Sequence, residues 1–348
     1  MPQGAAGGSS LTQERADQVM IITQTPLRVG LVGGGTDLPD YYREHGGRVL
    51  NATIDKYVYV VVKQRFDDDI YVNYSTKEIV SRVEDLQHEL VREAMHMAGV
   101  RRGVEITTLA DIPSAGSGLG SSSSVTVGLL HALFAYQGRQ VSAEELADRA
   151  CTIEIDRCRK PIGKQDQYAA AFGGVCDIEF GTGDRVSVNR LELSSDRRRR
   201  IQDELLLFYT GTTRQAGAIL GEQRANIGSR LTQLAQLREL AREAADGLRE
   251  GDVDALGAAL NKSWAAKREL ASGVSNSFID DAVEKAVQAG ASGAKVTGAG
   301  GGGFLLVVCP LERQNSVRKA IGHMRELPIK IDPFGSRVIF NAHRDIWG

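Results

Sequence analysis

Residues 113–124 are the part of this sequence best suited to chemistry: Pro113-Ser114-Ala115-Gly116-Ser117-Gly118-Leu119-Gly120, followed by the serines Ser121 to Ser124. Glycines at every second position let the chain turn tightly and aim several N–H groups one way. The serines then open an apolar segment, 125–135, with a helical composition. A helix N-terminus carries free amides and partial positive charge. Together these features make an anion cradle suited to phosphates. Serine hydroxyls at that point can also ligate Mg²⁺, which prefers oxygen ligands and bridging phosphates. A flexible Gly/Ser linker has a similar composition, but linkers do not run straight into core helices. No Gly-Lys-Ser/Thr follows, and the spacing is GxGxG, so Walker A and dinucleotide fingerprints both fit poorly.

The surrounding pattern supplies the scaffold. Residues 20–32 predict a strand that ends in Gly33-Gly34-Gly35-Thr36-Asp37. Residues 49–66 and 70–74, separated by three aspartates, predict a β-hairpin. Segment 85–98 has helical spacing, and 104–109 reads as a strand. Ser142 with Glu145 is a capping box that opens a helix to about Arg157. Leu205–Tyr209 is a strand, Leu231 to Leu248 repeat at helical spacing until Gly251, and 253–271 predicts a second helix. Residues 295–309 read as a Gly-rich loop entering a buried strand, and a helix and two strands follow. The charge run 196–200 marks the expected seam. Without strict βαβ alternation the class is α+β.

Composition narrows the partners. With 348 residues the chain suggests two domains at about 150 residues each. A hydrophobic share of 42% and a charged share of 25% are those of a globular protein rather than a disordered one. A net charge of −2 removes the electrostatic argument for nucleic acid or a membrane surface. Cys151, Cys158, Cys176 and Cys309 form no CxxC or disulfide pattern, and a reducing cytoplasm is the simplest home. Residues 1–19 read as a loose extension without the order of a signal peptide. The oligomeric state is left open, a homo-oligomer included.

Two further Gly-rich motifs flank the loop in order: Thr25-Pro26-Leu27-Arg28-Val29-Gly30-Leu31-Val32-Gly33-Gly34-Gly35-Thr36-Asp37 before it, and Lys295-Val296-Thr297-Gly298-Ala299-Gly300-Gly301-Gly302-Gly303-Phe304 after it. In these three motifs the sequence resembles the GHMP superfamily of small-molecule kinases, over about 20–347. The resemblance implies a two-domain GHMP kinase fold. Residues 20–198 would form an N-terminal domain like ribosomal protein S5, and 199–348 a ferredoxin-like α/β sandwich. It also implies ATP and Mg²⁺ as cofactors. Galactokinases and mevalonate kinases carry Gly-Glu-His near Gly33-Gly34-Gly35, so the substrate pocket here is altered. Leu27-Arg28 with the triple glycine, Val49-Leu50-Asn51-Ala52-Thr53-Ile54, Gln165-Asp166-Gln167-Tyr168-Ala169 and Lys262-Ser263-Trp264 resemble the D-glycero-D-manno-heptose 7-phosphate kinase branch. Those kinases phosphorylate the anomeric hydroxyl of a heptose 7-phosphate on the way to a nucleotide-activated heptose.

Roles follow from that resemblance. Asp166 corresponds to the carboxylate facing the acceptor hydroxyl. Arg28 corresponds to the cation that pairs with it and offsets charge near the transferring phosphoryl group. Glu154 and Ser122 correspond to the Mg²⁺ ligands. The nucleotide loop comprises Pro113, Ser114, Gly116, Ser117, Gly118, Leu119, Gly120, Ser121, Ser122 and Ser123. Gly34, Gly35, Thr36, Gln165 and Tyr168 are expected at the sugar, and Gly300 and Gly301, in the third loop, either approach it with their backbone or serve a purely structural role. Asp37 can grip a sugar diol or cap a helix starting near Pro39. Arg214 and Lys267 are the expected cations for a phosphate on the far end of the acceptor. The alternatives are another kinase of the superfamily, of galactose, fucose or mevalonate type, and a non-catalytic sugar sensor. A sensor has no need of Arg28, Ser122, Glu154 and Asp166 together.

Overall fold

The computed structural model describes residues 19–113, 116–212 and 216–343. The expected N-terminal extension up to residue 18, Ser114 and Arg214 lie outside the described residues. The first part of the chain contains β1 (Val19–Val32), α1 (Pro39–His45), β2 (Gly47–Gln64), β3 (Ile70–Asn73), β4 (Lys77–Val80), α2 (Glu89–Ala98), β5 (Val104–Ala110), α3 (Ser121–Tyr136), α4 (Ala143–Cys151), α5 (Gln165–Phe172), β6 (Val175–Phe180), β7 (Val186–Arg190) and α6 (Ser195–Glu204). It continues with β8 (Leu205–Tyr209), α7 (Ala216–Ala225), α8 (Leu231–Glu250), α9 (Val253–Arg268), α10 (Ser277–Gln288), β9 (Gly293–Val296), β10 (Phe304–Val308), α11 (Gln314–Ala320), β11 (Arg325–Glu326) and β12 (Arg337–His343). No helix among the described residues is long and apolar enough to cross a membrane.

Two sheets organise these elements. The first runs β12-β1-β2-β5-β3-β4, with β6 and β7 attached through β2, and the second runs β11-β8-β10-β9. The long strand β2 is shared: Val58 to Gln64 pair with β5, whereas Gly47 to Ala52 pair with β6. Along its other edge lies β1. There Pro26 faces Tyr57 but Leu27 faces Ile54, so Asp55 and Lys56 bulge from β2. Pro26 has no N–H to give the ladder, and a bulge is where a sheet tolerates that. Arg28 follows this irregularity by two residues.

The expected hairpin of 49–66 with 70–74 does not form. β5, with Val104 and Ile106 fully buried, takes the place beside β2 and offers β3 a parallel edge, and the antiparallel partner of β3 is β4. The chain is also not divided into sheets by a single cut near 198, because β12 returns from the C-terminal part to pair with β1.

The apolar pattern 231–248 forms α8, stopped by Gly251 in the left-handed conformation, and Asp252 caps α9 through the Ala255 amide at 3.0 Å. α8 lies on β2 and α9 on β9, so this helical pair joins the two sheets. Ala241, Ala244, Leu248, Leu256 and Leu260 share one buried cluster with Val29 and Leu50. The expected helix from the Ser142 capping box forms, with Ser142 Oγ accepting from the Glu145 amide at 3.1 Å. Its last part, Thr152–Arg157, widens into a π-helix. Such widened turns are frequent at functional sites.

Candidate active site

A cleft of about 280 Å³ opens between the N-terminus of α3, the loop 160–166, helix α7 and the third Gly-rich motif. α3 begins after Gly120, which has φ +75°, with no side-chain cap and no acidic residue in its first turn. Ser121, Ser122 and Ser123 line the cleft, with Gly116, Ser117, Gly118 and Gly120. The uncapped end of a 16-residue helix therefore faces the cavity with its amides unspent.

Arg28 stands beneath this end. It is 4% exposed and forks onto Asp166, with Nε to Oδ1 and Nη2 to Oδ2 both at 2.7 Å. Its Nη1 donates to the Gly118 carbonyl at 2.6 Å, and its backbone amide donates to the Leu119 carbonyl at 3.0 Å. Bidentate, charge-assisted contacts of this kind fix geometry as well as add energy. The first motif, the glycine loop and the start of α5 are thus tied by one side chain.

Asp37 is buried in the same cleft, and its carboxylate accepts the Gly35 amide at 2.9 Å and the Gln165 amide at 3.3 Å. It does not cap α1, whose N-cap is Leu38 without a side-chain bond. Burial pushes the Asp37 carboxyl above the ordinary value; the Gly35 amide opposes this and the Asp166 charge adds to it. Lys267, on α9, is 6% exposed and donates to the Gly298 carbonyl at 2.8 Å. Burial pulls its pKa down to about 8, with the Asp37 charge resisting. Lys262 is exposed, so the two lysines do lie on different faces of the helix. Gly34 backs Lys267: a Cβ there would stand 3.2 Å from Nζ.

Glu154 sits on the π-helical turn, fully buried, and lines the cleft. Its Oε2 accepts from Ser123 Oγ at 3.2 Å, and burial pushes its pKa up to about 7 against the Lys160 charge. Its Oε1 is buried without a partner. Ser122, the residue expected beside it, instead receives a hydrogen bond from Lys160 at 3.2 Å. An orphaned carboxylate oxygen at the foot of an anion cradle fits a hard divalent cation. Among the described residues no group of three or more His, Cys, Asp or Glu comes together, so such an ion would draw its other ligands from phosphate and water. Ser121 Oγ and Gln223 Oε1, on residues that also line the cleft, are likewise buried and unpartnered.

Several expected residues are elsewhere. Thr36 Oγ1 is spent on the Gly33 and Arg48 carbonyls, both at 2.8 Å, and shapes the turn. Tyr168 lies in the apolar core, stacked on Phe172, because it falls on the opposite side of α5 from Asp166. Leu119 is fully buried and contributes only its backbone. Gly300 and Gly301 pack on Val274, the Gly301 amide bonding its carbonyl at 2.7 Å, and it is Gly298 and Ala299 that line the cleft. Pro113 faces a different cavity, with Tyr209 and Phe304.

Other residues at or beside the site went unread. Lys160 bridges Ser122 and Glu89, and Gln223 holds the Ala299 carbonyl at 3.2 Å. Lys295, within β9, donates to the Gly30 and Leu31 carbonyls at 3.0 and 2.7 Å, and burial carries its pKa well below the ordinary lysine value. A lone cation inside an apolar strand was the available signal for Lys295, as it was for Arg28; nothing in the sequence marks Lys160.

Comparison with known proteins agrees with this geometry. The family model for the GHMP kinases N terminal domain matches residues 81–174, and that for GHMP kinases C terminal matches 244–326. The chain is 32% identical to D-glycero-alpha-D-manno-heptose 7-phosphate kinase of Campylobacter jejuni, over 88% of this chain and 95% of that one. A solved D-glycero-D-manno-heptose 1-phosphate kinase from Bacteriodes thetaiotaomicron superposes with a TM-score of 0.78 at 26% identity, covering 92% and 99% of the two chains. A solved putative sugar kinase from Campylobacter jejuni gives 0.75 at 28% identity, covering 93% and 98%. With two sheets, three Gly-rich motifs and this cleft, the chain belongs to the GHMP kinases, phosphotransferases that act on an alcohol acceptor.

Proposed function

We propose that this kinase transfers the γ-phosphoryl group of ATP to the anomeric hydroxyl of a heptose 7-phosphate, giving the 1,7-bisphosphate and ADP. The observation that carries the reading is the Arg28–Asp166 fork directly beneath the uncapped start of α3, with Asp37 and Lys267 on the same cleft floor. The likeness to a heptose 7-phosphate kinase supports the choice of sugar.

In this reading the amides of Ser121, Ser122 and Ser123 hold the nucleotide phosphates. Glu154 would hold Mg²⁺ through its unpartnered Oε1, and the ion would offset charge on the phosphates; Ser122 would join it only by exchanging its Lys160 hydrogen bond. Asp166 orients the anomeric hydroxyl and accepts its proton as the new oxygen–phosphorus bond forms and the bond to the ADP oxygen breaks. Arg28 keeps the carboxylate aimed and adds positive charge beside the transferring group. Asp37 accepts hydrogen bonds from sugar hydroxyls, and Lys267 donates to the acceptor from the other side. Both are held rigidly by backbone partners, which preorganises the pocket.

The test is a panel of heptose 7-phosphate, unphosphorylated heptose, galactose, fucose and mevalonate with ATP and Mg²⁺. The highest kcat/KM falls on heptose 7-phosphate, with the new phosphate on C1 by phosphorus NMR. A preference for galactose, fucose or mevalonate overturns the sugar assignment and leaves the kinase assignment in place.

A further inference from the structure

Beside the cleft lies a second cavity of about 400 Å³, and Leu38, Lys160 and Ile162 line both. Its walls come from α1, the π-helical turn and α7. They carry four cations, Arg43, Arg159, Lys160 and Arg224, against two carboxylates, Asp40 and Asp156. Three of the cations are already engaged. Arg43 pairs with Asp184 at 3.0 Å, Lys160 with Glu89 at 3.3 Å, and Arg224 with Asp40 across the mouth between α7 and α1. Arg159 has no ion-pair partner among the described residues. It also holds φ +51°, a left-handed conformation that non-glycine residues adopt at a cost and that clusters at ligand clamps.

Resting on the sugar-phosphate reading above, we propose that this second cavity is the subsite for the terminal phosphate of the acceptor, gripped by Arg159 with Arg224. An acceptor with its reacting hydroxyl at Asp166 runs its carbons past Leu38 and Ile162, the apolar wall common to both cavities, and delivers its far end to the arginines. A phosphate dianion matches the excess of positive charge. The planar guanidinium of Arg159 offers it paired donors, and Arg224 can share its five N–H groups between Asp40 and the phosphate. The arrangement differs from one in which Lys267 holds that phosphate, because Lys267 sits on the cleft floor beside Asp37 and Asp166. Selection for phosphorylated sugars is thereby separated from the reacting groups.

The experiment compares heptose 7-phosphate with unphosphorylated heptose on the full chain, for the native enzyme, Arg159→Ala, Arg159→Lys and Arg224→Ala. The native enzyme prefers the phosphorylated sugar. Arg159→Ala cuts the ratio of the two kcat/KM values about tenfold or more, the scale of a hydrogen bond to a charged group, with the change in KM. Arg159→Lys recovers part of the ratio, and Arg224→Ala lowers it less. Thermal melting and ATP affinity are read on every variant to separate misfolding from lost selectivity. A native preference that survives Arg159→Ala overturns the subsite and leaves the substrate reading standing. An equal loss on both sugars assigns Arg159 to structure and likewise overturns the subsite. A native enzyme indifferent to the phosphate overturns the substrate reading, and the subsite with it.

Discussion

Arg28 meets Asp166 through two parallel 2.7 Å hydrogen bonds while its third nitrogen holds the Gly118 carbonyl. The Asp166 carboxylate and the glycine loop before α3 are therefore set by the same guanidinium. Asp166→Asn keeps the shape but removes the charge and the proton acceptor. Turnover falls at least about a hundredfold, the lower scale for positioned acid–base catalysis, while ATP affinity measured by calorimetry is unchanged. Near-native turnover in Asp166→Asn would falsify the assigned role.

Gly118 lines the cleft, but the side on which a Cβ would project faces the third motif. It has φ +72°, and a Cβ on it would stand 2.8 Å from the Thr297 carbonyl oxygen. Gly118→Val therefore forces the two glycine loops apart as well as straining the backbone. ATP affinity drops, and the melting temperature drops with it by roughly 1 °C or more, the shift expected for about a kilocalorie in a chain of 348 residues. A variant that loses ATP binding with an unaltered melting curve contradicts the loop-on-loop packing as the cause.

Glu154 has one oxygen on Ser123 and one with no partner. Glu154→Gln is nearly isosteric and removes the charge a divalent ion needs. The Mg²⁺ concentration for half-maximal rate rises at least about tenfold, in line with losing one charged oxygen ligand. Titration of activity at fixed ATP checks this, and an unshifted Mg²⁺ curve removes Glu154 from the ligand set.

Lys267 gives the pH signature. With a pKa near 8 its charge is present below that pH and lost as pH rises through it. Acceptor KM therefore climbs above about pH 8 in the native enzyme, and Lys267→Met flattens that limb. Stability moves the other way. The folded pKa lies below the unfolded value of about 10.4, so between the two the unfolded chain binds the extra proton and folding is favoured as pH rises. Melting temperature read against the Lys267→Met variant rises across that window while affinity falls. Parallel movement of both quantities rejects the assignment.

Much of the scaffold was legible because its signals are local. The strand Leu205–Tyr209, the arrest of α8 at Gly251 and the Ser142 cap each depend on a few neighbouring residues. Strand order was not legible in this way. β5 displaces β3 from the side of β2 through contacts between residues some forty positions apart, and no turn chemistry near Asp67 encodes that competition. At the site, the resemblance named Arg28, Glu154 and Asp166, the chemistry of a carboxylate beside a glycine turn named Asp37, and all four line one cleft. Other members of the same runs do not line it: Thr36 bonds the turn, Tyr168 lies in the core, and Gly300 and Gly301 rest on Val274. Lys160 was missed because its importance comes from the π-helical turn before it, which sequence periodicity does not reveal.

The position of β12 has a consequence for synthesis. Among the described residues β1 is the first strand in chain order and β12 the last, so β1 is synthesised well before the strand that covers it. Until residue 343 clears the exit tunnel, the nascent sheet carries an open border of unpaired amides and carbonyls along β1, the sort of border that invites pairing with other chains. In the finished protein β12 covers that border and is itself the end of the sheet, so the edge is moved from the 14-residue β1 to the 7-residue β12.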